Sequence, residues 1–253
     1  MTVERPAVHR PAVHRPTVHR RVYRRRDPGG AVYRTLRSFP AGPPNATVLL
    51  AGPGSVSLLD GEGRDDQLLA GLTARLVEAG AQVLQCDLPA RDPNSPATEE
   101  DQRLRADRLG GLLDGLRHVR TGPLTLLGFS LGGQALLRLL ASGAPPRADR
   151  VVLVGTVVEE DVFLTSRVSS VDLVYGGNDL VGYLADADDD TLPPAILDPG
   201  LYADWSARHL VGPRPLAVGV HVLQGLGHTL HPCGSGPAPD PLTALAALAG
   251  AGH

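Results

Sequence analysis

Three residues whose side chains could together transfer an acyl group follow predicted strands in this sequence: Ser130, Asp179 and His228. A serine hydroxyl is a weak nucleophile until a base removes its proton. Imidazole can take that proton and return it to a leaving group, because it titrates near neutral pH. A carboxylate on the other ring nitrogen fixes the tautomer of the imidazole. The sequence therefore predicts that these three residues form a catalytic triad.

The serine lies in a Gly-x-Ser-x-Gly motif in which Gly128 and Gly132 flank Ser130. An apolar run at 124–127 precedes the motif and a helical pattern at 134–140 follows it, which is the context that makes this motif informative. Side chains two positions from such a sharp turn would collide with it, so glycine is needed there. The helix that follows directs its amides and the positive end of its dipole at the serine. We therefore expect Ser130 to be a nucleophile on a strained strand-to-helix turn.

Other residues compete for the acid and base roles. Glu159, Glu160 and Asp161 follow the preceding predicted strand and could supply the carboxylate in place of Asp179. Position favours Asp179, because ligands in open α/β sheets bind beyond the carboxyl ends of the strands. His231 is the nearest alternative to the proposed histidine base.

A second interpretation of the same region is a metal site formed by His228, His231 and Cys233. A fourth ligand at ordinary spacing is missing, so we predict no metal and no organic cofactor. The chain contains no lysine, which excludes Schiff-base chemistry on lysine and a P-loop.

The elements that must position these residues alternate between strand and helix. Apolar runs typical of buried parallel strands cover 47–51, 82–86, 124–127, 151–155, 171–175 and 218–223, and 32–39 reads as an edge strand. Helical patterns cover 65–79, a stretch that begins near 98, 134–142, 202–210 and 241–249, and the connection after 155 is expected to be short and helical. This alternation predicts an α/β fold with a mostly parallel sheet of about seven to eight strands and helices on both faces. No large cap domain is expected, although an insertion within 181–215 could form a small flap over the site.

Chain length, hydrophobic content and cysteine content limit the possible functions. A chain of 253 residues with 42% hydrophobic residues is long enough for one large α/β domain. No apolar run approaches the ~20 residues that a membrane-spanning helix needs. Two cysteines, Cys86 and Cys233, form no disulfide framework, and this predicts a cytoplasmic location.

Residues 1–26 are strongly basic and repetitive. They hold eight arginines and one glutamate, a net charge of +7, which leaves −10 for the rest of a chain whose total is −3. An acidic body is a poor match for nucleic acid, so no such partner is expected. A five-residue repeat with a proline in each copy covers 5–19, and we predict that residues 1–30 form a disordered tail that is not a secretory signal. Two minor alternatives are a basic arm for anionic partners and metal binding by His9, His14 and His19.

From about residue 31 onward the sequence resembles the α/β-hydrolase family. The resemblance is carried by five segments: Leu-Leu-Ala-Gly-Pro-Gly-Ser at 49–55, Cys-Asp-Leu-Pro-Ala-Arg at 86–91, Gly-Phe-Ser-Leu-Gly-Gly at 128–133, Gly-Gly-Asn-Asp at 176–179 and Gly-Leu-Gly-His at 225–228. It implies an oxyanion hole formed by the backbone amides of Leu131 and Gly52. Many members have His-Gly after the third strand, whereas here Ala51 replaces the histidine and Pro53, which has no amide hydrogen, follows the glycine. Gly54 or Ser55 is therefore an alternative donor.

We expect a serine hydrolase that cleaves a carboxylic ester, thioester or lactone of a small-molecule acyl substrate through an acyl-serine intermediate. Two alternatives are an acyltransferase that uses the same triad and a catalytically silent binding protein with the same fold. Aromatic residues make up only 4% of the chain, which predicts an aliphatic pocket. Phe129, Leu180 and Leu226 neighbour the catalytic positions and are the predicted substrate-binding residues.

Overall fold

The computed structural model describes residues 18–54, 66–89, 97–115, 120–156, 158, 160–164, 168–179, 199–212, 216–233 and 237–250. Its strands are β1 His19–Arg26, β2 Val32–Phe39, β3 Ala46–Ala51, β4 Ala81–Cys86, β5 Leu124–Phe129, β6 Arg150–Val154, β7 Val162–Phe163, β8 Ser170–Gly176, β9 Leu210–Val211 and β10 Ala217–Leu223. Its helices are α1 Asp66–Glu78, α2 Glu99–Asp114, α3 Leu131–Leu140, α4 Pro199–Arg208 and α5 Pro241–Leu248. None of these helices is long and apolar enough to cross a bilayer.

Eight strands form one sheet in the order β1-β2-β4-β3-β5-β6-β8-β10. The strands from β4 to β10 in this order are parallel, whereas β2 runs antiparallel to both of its neighbours. The predicted mostly parallel α/β sheet is therefore confirmed. Because the carboxyl ends of parallel strands lie on the same side of the sheet, the residues that follow β5, β8 and β10 meet there.

Two hydrophobic clusters cover the two faces of the sheet. One cluster contains the buried side chains of α2, α3 and α4, and the other contains those of α1 and α5. The central strands β3 and β5 are buried along almost their whole length, because helices cover both of their faces. This packing holds in place the carboxyl ends of the central strands, where the candidate site lies.

The prediction of a disordered tail across residues 1–30 is wrong for its last part. Residues His19–Arg26 form β1, which pairs antiparallel with β2, so β2 is not the edge strand that the sequence predicted. The last proline of the repeat is Pro16 and the next is Pro28. Every residue between them keeps its amide donor and can join a ladder. Arginines along β1 suit an edge strand, because charge discourages further strand pairing. The remainder of the predicted tail, 1–17, lies outside the described residues.

One connection differs from the prediction and a second agrees with it in part. The expected short helix after β6 is replaced, within the described residues, by β7, which pairs in parallel with β9. The helix predicted at 202–210, within the expected insertion at 181–215, is confirmed as α4, which packs against β8 and β10 in the manner of an ordinary crossover helix. Residues 181–198 and 213–215 of that stretch lie outside the described residues, so the small flap stays a prediction.

Candidate active site

Ser130 lies at the junction of β5 and α3 with a backbone conformation of φ 48° and ψ −119°. Positive φ costs a residue with a side chain about 1–2 kcal/mol, so such a conformation persists only where the surroundings impose it. The Ser130 amide donates a 2.8 Å hydrogen bond to the Val154 carbonyl of β6, which ties the turn to the neighbouring strand. The predicted strained strand-to-helix turn is therefore present.

The glycines around Ser130 are explained by close packing. A Cβ atom on Gly128 would lie 2.7 Å from the nitrogen of Gly133. A Cβ atom on Gly132 would overlap the Gly52 carbonyl oxygen and would lie 2.6 Å from that of Ala51. Real Cβ atoms essentially never approach other atoms this closely, so larger residues would force the turn apart. This agrees with the crowding argument made from the sequence.

Asp179 and His228 form a hydrogen-bonded pair beside this turn. His228 Nδ1 lies 2.9 Å from Asp179 Oδ1 and 3.1 Å from Oδ2. The Asp179 side chain is 3% exposed and that of His228 is 13% exposed. A carboxylate on Nδ1 favours the tautomer with its proton there, which leaves Nε2 free to accept a proton. This is the geometry that a catalytic base requires.

The loops after β8 and β10 bring the pair together. The Asn178 amide donates to the Leu226 carbonyl at 2.9 Å, and the Gly177 amide donates to the Leu223 carbonyl at 2.9 Å. A Cβ atom on Gly176 would overlap the backbone of the second loop. The two loops are therefore in direct backbone contact, which places the carboxylate of one within reach of the imidazole of the other.

Gly155, which directly follows β6 and packs against His228, was not predicted from the sequence to belong to the site. A Cβ atom on Gly155 would lie 2.7 Å from the His228 carbonyl oxygen and 3.0 Å from its Nδ1, and the φ of Gly155 is 52°. The imidazole thus packs directly against the Gly155 backbone. A glycine immediately after a buried strand was the available signal, because glycine at such a place often marks a close backbone approach.

A buried polar network lies next to Gly155 and was also missed. The Tyr175 hydroxyl donates a 2.6 Å hydrogen bond to the Thr156 carbonyl and lies 3.2 Å from Ser206 Oγ of α4. Burial raises the pKa of the Tyr175 hydroxyl, so it remains a donor at neutral pH. This network holds the segment after β6, and therefore the surface on which His228 rests, against α4.

No hydrogen bond joins the side chains of Ser130 and His228 among the described residues. Catalytic hydrogen bonds often tighten only when substrate is bound. The contact between serine and imidazole therefore stays a prediction, as do the catalytic roles of the three residues.

The predicted oxyanion-hole residues lie beside the serine. Leu131 is the first residue of α3, and the carbonyl of Gly52 faces the same helix end at Gly132. Gly54 lies so close to the Leu131 side chain that a Cβ atom there would overlap it. The loop after β3 therefore reaches the helix terminus as expected, whereas amide donation by Leu131 and Gly52 stays a prediction. The alternative donor Ser55 lies outside the described residues.

The competing acid and base residues occupy other places. Asp161 pairs with His209 at 2.8 Å, and Glu160 is exposed. His231 is exposed and its ring lies 3.4 Å from the Thr229 hydroxyl. Glu159 lies outside the described residues. Among the described carboxylates that compete for this role, Asp179 is the one hydrogen-bonded to His228.

Two predicted substrate-binding residues are buried in the core. Phe129 is 1% exposed and Leu226 is 0% exposed, and both pack in the cluster that contains α1 and α5. Leu180 lies outside the described residues. Substrate contact by these three residues stays a prediction.

The Cys86 thiol and the arrangement of potential metal ligands bear on other chemistries. Burial raises the pKa of the Cys86 thiol to about 12, so the thiolate is scarce at neutral pH and Cys86 is a poor nucleophile. Within the described ranges, no group of three or more histidine, cysteine, aspartate or glutamate side chains is arranged to hold a metal ion.

Solved structures with the same architecture are α/β hydrolases. Dienelactone hydrolase from Anabaena variabilis is 20% identical, with a TM-score of 0.60 over 93% of this chain and 96% of that one. A lidless α/β serine hydrolase from Xanthomonas campestris is 17% identical, with a TM-score of 0.56 over 84% and 87%. Carboxyl esterase 2 from the fungus Tuber melanosporum is 13% identical, with a TM-score of 0.57 over 84% and 79%.

The chain therefore has the α/β-hydrolase fold. No protein-family model and no curated protein sequence matches it. At identities below 25% the structural likeness establishes the fold, and the site's own geometry must carry any argument about activity.

Proposed function

We propose that the protein is a serine hydrolase that cleaves a carboxylic ester, thioester or lactone through an acyl-serine intermediate. The observation that carries the proposal is the strained Ser130 turn, beside which a buried carboxylate is hydrogen-bonded to an imidazole. A strained backbone at a non-glycine residue persists only where the surroundings impose it, and such residues cluster at active sites.

In the first half of the reaction, Ser130 Oγ attacks the substrate carbonyl carbon while His228 Nε2 takes the hydroxyl proton. Asp179 stabilises the imidazolium through its bond to Nδ1. The amides of Leu131 and Gly52 donate hydrogen bonds to the negatively charged carbonyl oxygen, and each such donor typically contributes about 100- to 1000-fold in rate. The intermediate then collapses, and His228 returns the proton to the departing alcohol or thiol.

In the second half, water replaces the leaving group. His228 removes a proton from water as it attacks the acyl-serine carbonyl, and the acid product leaves with Ser130 Oγ reprotonated. All of these steps use protein groups and water. Dienelactone hydrolase and esterases share this fold, which supports an ester or lactone as the substrate class.

A fluorophosphonate probe tests the nucleophile directly. We expect stoichiometric labelling of the folded protein at Ser130 and no labelling of Ser130→Ala. The matched control is Ser142→Ala, which changes a serine outside the site and should label as the parent does. Absence of labelling in correctly folded parent protein would identify a catalytically silent binding protein instead.

A panel of p-nitrophenyl esters and thioesters of increasing acyl length tests the substrate class. We expect turnover above background for at least part of the series and a loss of roughly a million-fold in kcat for Ser130→Ala. Repeating the assay with an added alcohol measures how the acyl group partitions between water and the alcohol. Preferential transfer to the alcohol would favour the acyltransferase alternative, and a flat background response across the panel would contradict the proposal.

A further inference from the structure

A cavity of about 220 Å³ lies between the β1–β2 hairpin and the C-terminal part of α2. Its polar wall comes from side chains on one face of the hairpin, and its apolar floor comes from β4 and α2. The residues concerned are Tyr23, Arg25, Thr35, Arg37, Leu84 and Leu112. Strand β5, which leads to Ser130, is three places away from β2 in the sheet. The cavity is therefore separate from the candidate active site.

Two arginines stand directly opposite each other on the hairpin, and one of them, Arg37, lines the cavity. Arg21 of β1 pairs across the ladder with Arg37 of β2. Like charges directly opposite in an antiparallel pair destabilise a sheet. Neither arginine forms an ion pair with a carboxylate among the described residues. The fold thus concentrates positive charge here, and no carboxylate of the described residues pairs with either arginine.

An aromatic ring holds both guanidinium groups in place. The Cζ atoms of Arg21 and Arg37 lie 5.5 Å and 5.2 Å from the centroid of Phe39. His19 also stacks on this ring, at 5.6 Å between centroids and an interplanar angle of 23°. Cation–π contact orients the two cations but does not neutralise them. The arginine pair is therefore preorganised for an external anion.

The Nε atom of Arg37 is buried and makes no hydrogen bond to any described residue. A buried donor without an acceptor is costly, so an acceptor at this position would stabilise the hairpin. Arg25 contributes a further positive charge to the wall, although its Nη1 already donates to the Gly111 carbonyl at 2.7 Å.

We infer that this cavity is a second binding site, which takes a small oxyanion, either a carboxylate or a phosphate group. Arg37, which lines the cavity, would bind the oxyanion through charge-assisted hydrogen bonds, and Arg21 opposite it on the hairpin would add positive charge. A short apolar part of the ligand would lie against Leu84 and Leu112. The volume is below the roughly 300–1,000 Å³ of drug-sized ligand pockets, which limits the ligand to a few atoms beyond the oxyanion.

Calorimetric titration with inorganic phosphate, acetate and butyrate at constant ionic strength tests this site. We expect saturable binding of phosphate or of the carboxylates, and the ligand that binds identifies the source of the oxyanion. Tighter binding of butyrate than of acetate would support contact between the longer alkyl chain and the apolar floor of the cavity. Calorimetric binding does not require turnover, so this result is independent of the proposed activity.

The test variant is Arg37→Gln, and the matched control is Arg20→Gln. Arg20 is an exposed arginine on the same β1 strand, but it pairs with Ser38 on the opposite face of the sheet. We expect Arg37→Gln to weaken binding by about 10-fold or more and Arg20→Gln to leave it unchanged. Arg21→Gln is the second variant should Arg37→Gln fail to fold.

Three outcomes would overturn the inference. One is no saturable binding of any of the three anions. Another is equal loss of affinity in Arg37→Gln and Arg20→Gln, which would indicate nonspecific attraction to the basic hairpin. The third is unchanged binding of acetate and butyrate in the folded Arg37→Gln and Arg21→Gln variants. This result would mean that the carboxylates bind elsewhere, such as in the candidate active site.

Discussion

The residues Val154, Gly155 and Thr156 at the end of β6 contact both halves of the candidate site. The Val154 carbonyl accepts the Ser130 amide, and Gly155 lies beneath the ring of His228. The Thr156 side chain packs against Gly133 at the start of α3. A displacement of this segment would therefore move the serine and the imidazole relative to each other. We infer that Gly155 positions His228, the proposed base, without touching substrate.

Gly155→Ala should separate this positioning role from binding. The added methyl group would push the His228 ring away, and misplacing a catalytic group by about 1 Å can cost about 100-fold in rate. We expect kcat to fall by about that factor with KM little changed, and the fluorophosphonate labelling rate to fall in parallel. The positive φ should also lower the free energy of unfolding by about 1–2 kcal/mol.

The matched control is Gly30→Ala, because Gly30 has a φ of 84° but an added methyl group there would meet no other atom within 4 Å. It should lose comparable stability and keep its activity. Full activity in Gly155→Ala would contradict the positioning role.

At the scale of elements, α2 connects the outer strands to the centre of the sheet. Its N-terminus carries a capping box, in which Thr98 Oγ1 accepts from the Asp101 amide at 3.1 Å and Asp101 Oδ2 accepts from the Thr98 amide at 3.2 Å. The buried Leu109 packs against the sheet, and Arg108 reaches the β1–β2 turn at Asp27. The cap therefore supports an element on which the hairpin also depends.

Thr98→Ala should lower the free energy of unfolding by about 1 kcal/mol, because one helical amide loses its acceptor. Urea unfolding followed by circular dichroism measures the change. Thr98→Ser keeps a hydroxyl acceptor and is the control, with an expected loss well below that of alanine. An equal loss in both variants would mean that the threonine methyl group, rather than the cap, is responsible.

At the scale of the whole molecule, one buried ion pair joins the hairpin to the rest of the domain. Arg108 Nη2 donates to Asp27 Oδ2 at 2.8 Å, and the same guanidinium donates to the Asp87 carbonyl beyond β4 at 3.0 Å. The hydrogen bond from Arg108 holds the pKa of the Asp27 carboxyl below its usual range. Stability should therefore depend on pH through this pair.

The native state binds the Asp27 proton less readily than the unfolded chain, whose aspartates titrate near about 3.9. The contribution of Asp27 is thus fully present above that pH and is lost as pH falls through the lower native pKa. We expect Asp27→Asn to lower the Tm at pH 7 and to reduce the fall in Tm from pH 5 downward. Asp204→Asn, at an exposed position on α4, is the control and should leave the dependence of Tm on pH unchanged. If the Tm of Asp27→Asn falls below pH 5 as steeply as that of the parent, this pair is excluded as a source of acid sensitivity.

The local features of this protein were readable from the sequence. Hydrophobic runs located the parallel strands, and the glycines around Ser130 marked the strained turn, because both depend on neighbours along the chain. The order of Ser130, Asp179 and His228 after successive strands also followed from the alternation of elements. In contrast, β1 was not predicted. The proline-rich basic repeat that precedes it indicated disorder, and the short stretch without proline was too basic to be recognised as a strand.

Only the tertiary structure decided which distant groups meet. Strand order brings the loops after β8 and β10 into backbone contact, and this selects Asp179 over Asp161 as the partner of His228. The same packing places Gly155 beneath the imidazole and buries Phe129 in the core. Such contacts depend on the register and order of strands far apart in the chain, which local periodicity does not encode. The sequence by itself determined the elements and the strained serine turn, and the folded sheet determined what surrounds them.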